Sequence, residues 1–68
     1  MRLKEIRTEK GKSREDLARD VGVSIFTVRN WEQGQREPRI HQLIALADAL
    51  GCSVDDLVRE RNGGDETS

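Results

Sequence analysis

The stretch from Arg14 to Gln33, R-E-D-L-A-R-D-V-G-V-S-I-F-T-V-R-N-W-E-Q, leaves the backbone few options. Leu17, Ala18 and Val21 fall on one face of a helix. After Gly22 and Val23, Val28 and Trp31 form a second apolar stripe. Ala18 is small where a second helix must cross close over the first. Gly22 can take the positive φ that ends a helix and reverses the chain within a few residues. Ser24 offers its hydroxyl to the orphan N–H groups of the next helix. The stretch therefore specifies two short helices crossing at a tight turn.

The rest of the chain is punctuated in the same way, and five helices follow. The first runs from about Leu3 to Lys10, with Leu3 and Ile6 inward and Gly11 as its stop. Ser13 caps the second, with Asp16 three residues on in a capping-box pattern. The third runs from about Ile25 to Gln33 and ends at Gly34, and Pro38 marks the following loop. The fourth begins near Ile40, burying Ile40, Leu43, Leu46, Ala47 and Leu50, and stops at Gly51. Ser53 and Asp56 repeat the capping pair before a fifth helix carrying Val54, Leu57 and Val58, which Asn62-Gly63-Gly64 ends. The expected organisation is one all-α domain over residues 1–61 and a disordered tail over 62–68.

With 68 residues, only one small domain is available. A single cysteine excludes an internal disulfide, and no cysteine–histidine cluster offers a metal set, so neither a metal nor a cofactor is expected. No apolar run approaches bilayer length and no signal-peptide pattern opens the chain, which predicts a reducing, cytoplasmic compartment and no membrane partner. Catalysis fails on inventory. There is no plausible Ser–His–Asp or Cys–His arrangement and no phosphate-cradling glycine loop, and the carboxylates sit at caps and on the surface. No small-molecule effector site is evident.

The Arg14–Gln33 stretch closely resembles the helix-turn-helix of the phage repressor and Cro-like (lambda repressor-like) DNA-binding family. R-L-K-E-I-R-T-E-K-G-K-S before it is similar to that family's first helix and link. E-Q-G-Q-R-E-P-R-I-H-Q-L-I-A-L-A-D-A-L-G-C-S-V-D-D-L after it is similar to the loop and last two helices, so residues 2 to 58 fit. The resemblance implies a compact five-helix domain whose third helix enters the major groove of double-stranded DNA. It also implies a homodimeric transcriptional regulator, with repression the expected direction, on a two-fold operator in a prokaryotic or phage setting.

Around the third helix, Phe26 and Gln33 lie nearly opposite the core stripe, flanked by Arg29 and Asn30, with Ile25 at the shoulder. The resemblance assigns base reading to Ile25, Phe26, Arg29 and Asn30. Asn pairs with adenine, Arg with guanine, and an apolar side chain packs on the thymine methyl. Relatives more often carry polar residues at Ile25 and Phe26, so the base code stays open, and a partner interface or partial burial is the other reading of Phe26. Arg29 suits a phosphate as well as a base. Phosphate contacts are expected from Arg14 at the start of helix two, where the helix N-terminus itself favours an anion. The resemblance places Gln33, Gly34 and Arg36 where the family's loop grips the phosphate strand, and Arg39, after Pro38, as a backbone contact directed toward the minor groove. Arg7 and Glu32 match a buried ion pair of the family, and Trp31 reads as core. Ile44, Cys52, Val54 and Val58 are the expected dimer interface.

Net charge is −1, but residues 1–40 hold ten Lys/Arg against seven Asp/Glu, and residues 41–68 two against six. The basic half suits a polyanion, although an ordinarily mixed surface gives the same numbers. Two other assignments stay open: an antitoxin or restriction–modification controller of the same fold, or a protein-interaction module that has lost DNA binding.

Overall fold

The computed structural model describes residues 1–59. Five helices follow in chain order: α1 (Leu3–Glu9), α2 (Arg14–Val21), α3 (Ile25–Glu32), α4 (Ile40–Leu50) and α5 (Val54–Val58). Every helix contributes to one core: Leu3 and Ile6 from α1, Leu17 and Ala18 from α2, Val28 and Trp31 from α3, Leu46 and Leu50 from α4, and Leu57 from α5. The main packing closes a ring in which α2 meets α3, α3 meets α1, α1 meets α5, α5 meets α4, and α4 returns to α2. A backbone bond from the Arg2 N–H to the Leu57 carbonyl, 2.8 Å, fastens the start of α1 to α5.

Local chemistry sets where α2, α3, α4 and α5 start. Ser13 Oγ accepts from the Asp16 N–H at 3.0 Å while an Asp16 carboxylate oxygen accepts from the Ser13 N–H at 3.3 Å, a complete capping box. That backbone bond, and then the Ser13 hydroxyl, hold the Asp16 carboxyl below its ordinary pKa. Ser24 caps α3 by accepting from the Thr27 N–H at 3.2 Å. At α5 only the Ser53 hydroxyl takes part, accepting from the Asp56 N–H at 3.0 Å. α4 starts differently: Gln42 Oε1 accepts from the Arg39 N–H at 2.8 Å, because a guanidinium has no acceptor to offer.

The turn between α2 and α3 rests on Gly22, at φ +83°. Its N–H and that of Val23 both donate to the Ala18 carbonyl, at 2.8 and 3.0 Å, closing off the end of α2. Gly34 ends α3 at φ +77°, with the Gly34 N–H on the Trp31 carbonyl and the Gln35 N–H on the Asn30 carbonyl. A Cβ built at either glycine would meet nothing within 4 Å. Backbone conformation, not space, is what requires glycine there.

Two expectations need correction. Ile40, expected in the core, is 66% exposed. Helical side chains lean toward the N-terminus, so a residue in the first turn of α4 projects past the end of the helix. The buried face of α4 starts further along, with Leu43 half-buried and Leu46, Ala47 and Leu50 buried. α5 ends at Val58, because Arg59 is already extended at φ −68° and ψ 135°. The Asn62-Gly63-Gly64 stop, the domain boundary at 61 and the tail over 62–68 lie outside the described residues.

Gly22→Ala is expected to destabilise the domain by about 1–2 kcal/mol, the cost of a Cβ in the left-handed region. Gly22→Asn should cost less, since Asn tolerates that region. Urea denaturation of the three proteins measures the order, and an unchanged Gly22→Ala would show that the turn relaxes to another conformation.

Candidate nucleic-acid interface

α3 divides its side chains cleanly. Val28 and Trp31 face the core, while Ile25 and Phe26 stand 38% and 65% exposed and Arg29 is exposed beside them. Ser24 starts the helix in the right phase for this, and the Gly34 turn stops it before the loop to α4. Phe26 and Ile25 together give this end of α3 a continuous exposed apolar surface.

Two hollows lie along the flanks of α3. One, of about 150 Å³, is lined by Arg14, Ile25, Phe26 and Arg29. The other, an open groove of about 600 Å³ between α3 and the start of α4, has Asn30, Arg36 and Arg39 on its walls with Glu37, His41 and Gln42. The residues expected to meet bases are thus split, with Ile25, Phe26 and Arg29 on one flank and Asn30 on the other. Gln33 and Gly34 are exposed at the end of α3, between the helix and the Arg36 loop. Among the described residues, Arg29, Arg36 and Arg39 have no carboxylate partner. The Arg29 guanidinium lies instead over the Phe26 ring, 5.9 Å from its centroid.

Arg14 is tied down. Its Nε donates to Glu32 Oε1 at 2.9 Å, and Arg7 Nε donates to Glu32 Oε2 at 2.6 Å. Arg7 Nη1 also donates to the Lys12 carbonyl at 2.8 Å, which fixes the α1–α2 link. One carboxylate therefore joins three helices. The Glu32 side chain is 1% exposed, Arg7 12% and Arg14 36%, so Arg14 alone keeps a substantial open face. Burial pushes the Glu32 pKa up, but hydrogen bonds from Arg7 and then Arg14, with their charges, outweigh it and leave the carboxyl below its ordinary range.

The anion preference expected of the α2 N-terminus is weakened, because its own capping box and the first-turn acids Glu15 and Asp16 already occupy it. Any phosphate attraction there comes from the Arg14 guanidinium. The Arg14–Glu32 bond was not read from the sequence, since spacing along the chain does not reveal it and the resemblance supplied only Arg7 as the partner of Glu32. The Phe26–Arg29 contact was legible as an i,i+3 pair.

The expected dimer residues are scattered in exposure. Ile44 and Val58 are exposed, Val54 is half-buried, and Cys52 packs partly against the core. Burial, and then Asp56, push the Cys52 thiol up, so it stays protonated at neutral pH. Ile40 joins Ile44 one turn away on α4. A shallow hollow of about 220 Å³ brings Met1, Pro38, Leu43 and Val58 together. Among the described residues no His/Cys/Asp/Glu group could hold a metal ion, and no helix is long and apolar enough to cross a membrane.

Two short crossing helices joined by a left-handed glycine, the second with its outer face free, define a helix-turn-helix unit. The general sequence model of the helix-turn-helix family matches residues 3–57. Similar proteins include the cryptic phage CTXphi transcriptional repressor RstR of Vibrio cholerae serotype O1, 32% identical over 82% of this chain and 50% of its own. The SPbeta prophage-derived HTH-type transcriptional regulator YonR of Bacillus subtilis is 36% identical over 85% of this chain and 54% of its own. Repressor protein C2 of Salmonella phage P22 is 42% identical over 63% of this chain and 20% of its own. The chain thus spans about half the length of RstR and YonR, and less of C2. It belongs to the phage repressor-like helix-turn-helix family.

Glu32→Ala is expected to cost about 3 kcal/mol, the low end for breaking a buried pair, because Arg14 can turn to water while Arg7 is stranded. Arg14→Ala should cost under about 1 kcal/mol, and replacing Arg7 and Glu32 together by apolar residues should recover much of the loss. Urea denaturation at neutral pH reads all three, and a Glu32→Ala protein as stable as the parent would contradict the buried pairing.

Because the folded-state pKa of Glu32 is depressed, its contribution is present above the unfolded value of about 4.3. It is lost as pH falls through the lower folded value. Glu32→Gln should therefore flatten stability against pH below about 4.3, and an unaltered acid limb would rule this out.

Proposed function

We propose that the protein is a sequence-specific double-stranded DNA-binding transcriptional regulator that acts as a homodimer on a two-fold operator in the cytoplasm. The observation that carries the reading is the outer face of α3. Ile25, Phe26 and Arg29 stand along one flank of it beside Arg14, and Asn30 along the other beside Arg36 and Arg39. That spacing suits a helix in the major groove with phosphate strands on either side. Gln33 and Gly34 complete the phosphate-facing set. The names of RstR and C2 as repressors support repression, which needs only occupancy of a promoter.

Dimerisation uses the α4–α5 side, where Ile44 and Val58 are exposed and Val54 and Cys52 are half-buried. Ile40 extends the patch. One eight-residue recognition helix reads few base pairs, and a second copy about 34 Å along the duplex doubles the site. The exposed Phe26 also favours a second reading, a protein-interaction module without DNA binding. Retention on nonspecific DNA at low salt, against none at any salt, separates the two.

Arg36→Ala and Arg14→Ala are expected to weaken binding to operator and scrambled DNA alike, each lowering the salt slope by about one. Arg29→Ala and Asn30→Ala should cost roughly 1–3 kcal/mol on the operator and much less on scrambled DNA. Titrations of the four variants across a salt series test this, and equal losses on both DNAs for Arg29 and Asn30 would remove α3 as the reader.

Sedimentation with and without operator is expected to give a weak dimer that tightens on DNA, and Ile44→Asp should abolish it. A strict monomer bound singly would exclude the two-fold arrangement.

A further inference from the structure

The hollow formed by Arg14, Ile25, Phe26 and Arg29 has a division of chemistry that selects its ligand. Ile25 and Phe26 supply apolar wall with no hydrogen-bonding atom. Arg14 and Arg29 supply donors only. The volume, about 150 Å³, exceeds that of several waters at about 30 Å³ each and takes a methyl group with the ring edge that carries it. In a duplex, the apolar group offered to such a surface in the major groove is a methyl on pyrimidine C5.

Arg29 is already placed for the neighbouring base. Its guanidinium is held over the Phe26 ring and, among the described residues, has no carboxylate to release. A guanidinium gains two bonds from guanine O6 and N7 but one from thymine O4. Arg29 therefore goes to guanine and leaves the pyrimidine's 4-substituent unread. Arg14 Nε is engaged by Glu32, and its terminal nitrogens go to phosphate in the reading proposed above. The walls then sense the methyl and are blind to what distinguishes thymine from 5-methylcytosine.

Resting on the DNA-binding reading above, we propose that Phe26, Ile25 and Arg29 together recognise a 5-methylpyrimidine next to a guanine, accepting thymine and 5-methylcytosine alike. Cytosine-C5 methylation at that step then substitutes for thymine, and the protein's operator choice responds to DNA methylation. Each methyl contributes about fourfold in affinity, the size of burying one CH₂ group, and about fifteenfold over two half-sites.

The test starts by selecting the best site for the intact chain from a random DNA pool. Duplexes are then made in which each pyrimidine flanking a guanine is thymine, uracil, 5-methylcytosine or cytosine, with its matching purine. Affinity is read by fluorescence anisotropy. At one step, thymine and 5-methylcytosine are expected to agree within about twofold, with uracil and cytosine each about fourfold weaker per half-site. Phe26→Ala, at an exposed position and checked for folding by circular dichroism, should erase the methyl dependence. Thymine equal to uracil at every step overturns the proposal. So does tight thymine with 5-methylcytosine as weak as cytosine, which would make Arg29 a reader of thymine O4. A pool that yields no enriched sequence defeats the DNA-binding reading itself and is told apart from a good operator that ignores methylation.

Discussion

The Glu32 carboxylate, held between two guanidiniums, fixes the geometry on which the recognition surface depends. It sits at the last turn of α3 and is reached by Arg7 from α1 and Arg14 from α2. Apolar packing alone leaves a short helix free to roll a little about its axis, because α3 buries just two apolar side chains, Val28 and Trp31. Directional hydrogen bonds at its end remove that freedom. Desolvation offsets much of the attraction, so the pair specifies orientation more than it stabilises. The outer face of α3 is aimed by its inner end.

Stability and recognition are otherwise kept on different atoms. The core is entirely apolar among the described residues, and none of its buried side chains is among those exposed along α3. The closed ring of helix contacts lets each short helix borrow two neighbours, which compensates for lengths at which isolated helices are marginal. Substitutions at Phe26 or Arg29 therefore change what the surface meets without touching what holds it up. A fold arranged in this way can change its ligand while its core stays constant.

What was legible in the sequence was what depends on neighbours along the chain. Gly22, Ser13 with Asp16, Ser24 and Gly34 announce helix ends through local backbone chemistry, and each does so in the structure. The apolar stripes of Leu17 with Ala18 and of Val28 with Trp31 follow from helical spacing. Arg7 meeting Glu32 came from family resemblance, not from spacing. What escaped depends on where an element ends in space. Ile40 keeps the apolar period of α4 yet overhangs the core, and α5 stops before its glycine signal. Arg14 was expected only as a phosphate contact, because nothing along the chain reveals that α2 starts beside the end of α3.

The sharing of Glu32 also sets two properties of the domain against each other. The negative charge that holds α1, α2 and α3 together is the same charge that dampens the potential at Arg14, the cation on the Phe26 flank of α3. Neutralising it loosens the fold and simultaneously leaves Arg14 a stronger attractor of polyanions of any sequence. In the DNA-binding reading proposed above, a weakened domain of this kind is also a stickier and less discriminating one, so fidelity and thermal robustness would be lost at a single residue.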